Sequence, residues 1–160
     1  MTTARQRKKL RERPGRKLLG LDLGERRVGI SVTDDLGSIS FPVGIVDLRH
    51  QPLEAVADLA RQHAVDGIVA GLPTTLSGEE GFQAREARAM AEQLATMVDV
   101  RIVFWDERLT STIADRVIEA NGRKKKNRAT GERDALAASI MLQGYLDANP
   151  YRDRETRQVS

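Results

Sequence analysis

An α/β fold, a mixed five-stranded sheet flanked by helices, is predicted by a change of hydrophobic period partway along the chain. Three short strand-like runs joined by tight turns come first. From Pro52 onward helical patterns alternate with apolar strands. At 160 residues the chain suits one domain, whose core would bury roughly two-thirds of the unfolded surface. No internal repeat is visible.

Leu18 to Asp22 is an apolar run, and Gly24 to Arg27 follows as a turn. Val28, Ile30 and Val32 then alternate with small or polar residues. Asp34-Asp35-Leu36-Gly37 reads as a second turn before a strand over Ile39 to Val46, so the three strands form an antiparallel meander. After Pro52, Leu53, Val56, Ala57, Ala60 and Ala64 fit one face of a helix, and Gly67 to Gly71 reads as a buried strand ending at Leu72-Pro73. A second helix runs from about Glu80, with Ala87, Met90, Ala91, Leu94 and Val98 at helical spacing, and Val100 to Trp105 is the fifth strand. Thr110 or Ser111 can cap a helix carrying Ile113, Ala114, Val117 and Ile118, which stops near Asn121-Gly122. The last helix starts near Gly131, is apolar almost all round from Ala135 to Leu146, and should be largely buried. The expected boundaries are a disordered basic arm over 1–16, a folded domain over 17–148 and a polar tail over 149–160.

Composition excludes several classes. The chain has no cysteine and only two histidines, so neither a disulfide framework nor a zinc site is expected. No apolar run approaches the roughly 20 residues of a membrane span, and the N-terminal stretch lacks the apolar segment of a secretory signal. The expectation is a cytoplasmic protein without membrane contact. The net charge of +3 is unevenly placed: residues 1–17 hold eight cations against the single anion Glu12, leaving 18 cations and 22 anions elsewhere. A second basic cluster, Arg123, Lys124, Lys125, Lys126 and Arg128, interrupts the folded region. Lys and Arg that neutralise phosphates gain affinity by counterion release, so these segments suggest a nucleic-acid partner; a charged terminus alone also suits a solvated tail. Arg27, in the first turn, joins the candidate phosphate contacts.

Three acids sit where a strand or a helix end would present them: Asp22 in LLGLDLG, Glu107 in FWDERLTS and Asp134 in GERDALAASIML. Asp22 interrupts an apolar run, where an unpaired carboxylate is costly. Glu107 falls just past the fifth strand, between Asp106 and Arg108, where a surface ion pair is an equally good explanation. Asp134 falls on the first turn of the final helix, where the dipole alone favours it. If the strands bearing Asp22 and Glu107 are neighbours and the final helix packs across them, the three converge. Such a cluster suits Mg2+, with Mn2+ an alternative, because Mg2+ takes hard oxygen ligands and keeps several waters. Paired ions would then activate water on one side of a phosphorus and stabilise the leaving oxygen on the other. Asp106 is a further ligand candidate.

The segments GLDLGERRVGIS, GLP, DERLTS and DALAAS, in this order and spacing, resemble the YqgF family of ribonuclease H-like proteins, described as Holliday junction resolvase-like or as pre-16S ribosomal RNA nucleases. The similarity covers about residues 17–148. It implies a ribonuclease H-like fold and hydrolysis of nucleic-acid phosphodiester bonds in the cytoplasm. The substrate would be precursor ribosomal RNA or branched DNA, and the metal-binding acids of the family motifs fall on Asp22, Glu107 and Asp134. Arg108 matches DERLTS and would either clamp a phosphate or orient Glu107. TTLSGEEG after Pro73, and Glu132-Arg133 before Asp134, depart from the family pattern.

Two rivals remain. Gly20, Gly24 and Gly29 resemble a phosphate-binding hairpin of actin-type ATPases, which need two related domains; the glycines are more simply read as turn devices permitting positive φ. The other rival is a non-catalytic nucleic-acid-binding module, which would lack one of the acids. Phe82, Phe104, Trp105 and Tyr145 read as core, offering no stacking platform, so binding should depend on charge and shape. A monomer and a homodimer are equally compatible with the sequence.

Overall fold

The computed structural model describes residues 16–72, 81–106 and 130–150. Strands β1 (Leu18–Leu23), β2 (Arg27–Thr33) and β3 (Ser40–Asp47) are followed by helix α1 (Glu54–Gln62) and strand β4 (Gly67–Leu72). Helix α2 (Phe82–Ala95), strand β5 (Arg101–Asp106) and helix α3 (Thr130–Ala148) complete the order. The helix expected around Ile113 to Ile118 falls outside the described residues.

The strands form one sheet in the order β3-β2-β1-β4-β5, with β1 at its centre. The meander is antiparallel, while β4 joins β1 and β5 joins β4 in parallel. This is the predicted architecture with one correction. The first and last strands are not neighbours: β4 lies between them, pairing Asp22 with Gly71 and Gly71 with Trp105. Two strand spacings, about 10 Å, therefore separate β1 from β5. A parallel strand needs a crossover, and each helical connection adds its strand outside the previous one.

Alternation along the strands sorts side chains between two cores. Leu19, Leu21, Leu23, Val28, Ile30, Ile68 and Ala70 pack on one face with Val56, Ala57 and Ala60 of α1 and Ala84, Ala87, Ala91 and Leu94 of α2. The other face presents Leu18, Val69, Val103 and Trp105 to Met141, Leu142 and Leu146 of α3. Burying a Leu or Val contributes about 1.5–3 kcal/mol. The expected burial of the last helix holds for one side of α3: Ala135, Ala138, Ser139, Met141, Leu142 and Leu146 are buried, most of the others are half-buried, and Glu132, Arg133, Asp147 and Ala148 are exposed.

Small residues let α3 lie directly on the sheet. A Cβ at Gly20 would fall 2.3 Å from the Ser31 Oγ and 2.9 Å from the Leu142 Cβ. Ser31 is buried, and its hydroxyl donates to the Ala138 carbonyl at 2.9 Å. At Gly29 the approach is closer still: a Cβ there would lie 2.2 Å from the Asp134 backbone oxygen. Gly24 serves the hairpin, where its N–H donates to the Arg27 carbonyl at 3.0 Å and a Cβ would stand 2.6 Å from that oxygen. None of the three has positive φ, which among the described glycines occurs at Gly37 and Gly44. Close approach, not left-handed backbone, requires them.

Candidate active site

Asp22 is the one residue of β1 that is not buried. It stands at the carboxyl end of the central strand, on the face covered by α3, and its partner across the β1–β2 pair is Gly29. Because the α3 backbone rests on Gly29 at Asp134, this strand pair and helix contact set the two aspartates beside one cleft. That cleft encloses about 260 Å³ and is lined by Asp22, Gly24, Glu25, Arg26, Arg27 and Asp134. The expected convergence of a strand and the final helix holds for these two acids. The helix starts at Thr130, one residue earlier than expected, so its first-turn acid is Glu132 and Asp134 follows that turn.

Arg27, the first residue of β2, places its Nε 3.3 Å from an Asp134 carboxylate oxygen, and both side chains are about one-third exposed. Burial is the main cause that pushes the Asp134 carboxyl above its ordinary range. The Arg27 guanidinium opposes this shift, and the Asp22 charge adds to it. A site in which one carboxylate raises another favours a cation between them. The donor set is all carboxylate oxygen, the hard chemistry that Mg2+ and Mn2+ take, so the residues present fit such an ion.

Among the described residues no three His, Cys, Asp or Glu side chains gather as a ligand set. Glu107, Arg108, Arg123, Lys124, Lys125, Lys126 and Arg128 lie outside the described residues. Asp106 ends β5 opposite Leu72, on the parity of Phe104 and so on the face away from Asp22. Trp105 has the parity of Asp22, packs edge-on to Tyr145 at 5.6 Å, and its buried indole N–H has no hydrogen-bond partner among the described residues.

A larger cleft of about 580 Å³ opens on the α2 side of Asp22. Phe82, read from the sequence as core, is 67% exposed and lines it. The buried stripe of α2 is Ala84, Ala87, Ala91 and Leu94, and at 100° per residue Phe82 falls on the opposite side of the helix. Counting from that alanine stripe would have revealed it. The spacing role of Gly29 also had a signal: a glycine between Val28 and Ile30 within an alternating strand marks a close backbone approach.

The RuvX family, described as Holliday junction resolvase, matches residues 16–148. A protein of Sulfurihydrogenibium sp. (strain YO3AOP1) named "Putative pre-16S rRNA nuclease" is 35% identical over 142 residues, 88% of this chain and 96% of that one. One of the same name from Chloroflexus aggregans is 38% identical over 139 residues, covering 84% and 96%. Among solved structures, Thermus thermophilus RuvC in complex with Holliday junction substrate superposes with a TM-score of 0.54 at 15% identity, covering 84% of this chain and 96% of that one. That likeness establishes the ribonuclease H-like fold. The match to the family over most of the chain, together with relatives at this identity and coverage, shows that the chain belongs to the RuvX family.

Proposed function

We propose that this protein is a divalent-metal-dependent nuclease that hydrolyses phosphodiester bonds and trims the 5′ end of precursor 16S ribosomal RNA in the cytoplasm. The observation that carries the reading is the cleft shared by Asp22 and Asp134, brought about by the seat of α3 on Gly29. Relatives 35% and 38% identical named for pre-16S rRNA support the substrate. Among the described residues no helix is long and apolar enough to cross a membrane.

Asp22, Asp134 and Glu107 would hold Mg2+ or Mn2+. A bound divalent ion supplies charge neutralisation at the scissile phosphate and a more acidic attacking water. Asp22, on the central strand, fixes the position of the site. Arg27 holds the Asp134 carboxylate by its ion pair and adds positive charge at the cleft mouth. The cations of 123–128, with Arg108, would hold flanking phosphates, and the basic arm would extend that contact.

A second reading, cleavage of a four-way DNA junction, is favoured by the family description and by the junction-bound RuvC. One assay separates them: precursor rRNA and a four-way junction offered to the full chain, with and without Mg2+ or Mn2+. Asp22→Asn and Glu107→Gln should each lower cleavage by about 100-fold or more. Robust cleavage without divalent ions, or full activity in both variants, would overturn the reading.

A further inference from the structure

We propose that the 580 Å³ cleft between the β1–β2 hairpin and α2 is a nucleobase site, in which an unpaired base stacks on Phe82 while its phosphate lies at Asp22 and Asp134. This deepens the nuclease reading and rests on it.

The chemistry of the two clefts differs, and Asp22 lines both. The smaller one carries Arg26 and Arg27, which suit a phosphate. Among the described residues the larger one has no lysine or arginine in its lining, and Glu86 joins Asp22 and Glu25, which line both clefts. A sugar-phosphate backbone would be repelled from it. A base would not: the exocyclic amines and ring N–H groups of nucleobases donate to carboxylates, and Gln83 and Gln93 offer both donors and acceptors.

Phe82 supplies the apolar surface. Its exposure of 67% leaves an aromatic ring in water at the rim of a cavity whose size lies in the roughly 300–1,000 Å³ range of small-ligand sites. Base-on-aromatic stacking is the usual means of gripping unpaired nucleotides, and is tolerant of sequence. A base within a continuous duplex cannot reach such a ring without leaving its stack. The site therefore selects nucleic acid with an unpaired or splayed nucleotide next to the scissile phosphate, a property of single-stranded ends and of branch points alike.

The test uses the full chain in Ca2+, with oligonucleotide integrity checked on the same samples. Three probes carry 2-aminopurine at one position: a short single-stranded RNA, DNA of the same sequence, and the fully paired DNA duplex. Binding is followed by anisotropy and stacking by quenching of the 2-aminopurine. The wild-type protein should quench the single strands. Phe82→Ala should bind them about 5- to 150-fold more weakly without quenching, while duplex affinity stays within about twofold. Phe82→Trp should restore both. Quenching in RNA and DNA assigns the site to the base alone, and quenching in RNA only assigns it to a ribonucleotide. Unchanged single-strand affinity in Phe82→Ala, or an equal loss on duplex, would overturn the proposal, and the nuclease reading would survive if Mn2+ still triggered cleavage. A wild-type protein that bound none of the probes would remove both.

Discussion

Asp22 and Asp134 meet because residue 29 has no side chain. Gly29→Ala would drive a Cβ against the Asp134 carbonyl oxygen and carbon, at 2.2 and 2.7 Å, and both belong to the helix backbone, which cannot swing aside. The expected cost is about 1–3 kcal/mol in denaturant unfolding, with weaker divalent-ion binding at the displaced Asp134. Asp134 itself is held at some expense. Its carboxyl is pushed upward, mainly by burial, so folding favours its protonated form. That contribution is fully present below the ordinary carboxylate pKa and is lost as pH rises through the folded-state value. Asp134→Asn, which never ionises, should therefore raise the Tm at neutral pH in metal-free buffer, and the gain should disappear below about pH 4. A Tm difference independent of pH would contradict this electrostatic account. Asp22 stands out in the sequence as a candidate, since a carboxylate inside LLGLDL has no cheap structural explanation, whereas the helix dipole alone accounts for Asp134. The glycine that unites them looks in the sequence like a turn device, because its function depends on what packs over it and not on its own φ.

At the level of elements, α3 is the part that makes the site. It crosses β3, β2 and β1, with Leu142 fully buried over Gly20 and the Ser31 hydroxyl bonded to its backbone. Leu142→Ala should cost about 2–5 kcal/mol, because Gly20 and Ser31 are too small to fill the space left behind. Chemical denaturation measures it directly, and a loss below about 1 kcal/mol would mean that α3 is not a core element. Periodicity revealed every described strand and helix to within a few residues, although α3 buries one side only and not its whole circumference. Strand order was harder. Nothing in β4 or β5 alone shows that β4 inserts between β1 and β5, because both read as short apolar runs and pairing is a long-range choice. The exposure of Phe82 is hidden in the sequence for a related reason: an aromatic on a helix looks like core until its angle to the buried alanine stripe is counted.

For the whole molecule, the sequence sets the proposed phosphate anchors apart from the acids of the site. The cleft is acidic, whereas the basic residues at 5–17 and 123–128 lie elsewhere in the sequence. If those cations hold phosphates, the logarithm of affinity should fall linearly with that of salt. Replacing Lys124, Lys125 and Lys126 by Gln should then flatten the slope by about 0.7 for each single-strand phosphate that these lysines neutralise. Fluorescence anisotropy over a salt series gives the slope, and an unchanged slope would assign the phosphates to other residues. The central claim concerns the carboxylates, however, and Mn2+ binding to the wild-type chain, Asp22→Asn and Asp134→Asn, followed by loss of the free-ion electron paramagnetic resonance signal, tests it most directly. Saturable binding in the wild type, weakened roughly tenfold or more in each variant, is the result expected for direct ligands. Equal Mn2+ binding by all three proteins would contradict a metal site at Asp22 and Asp134.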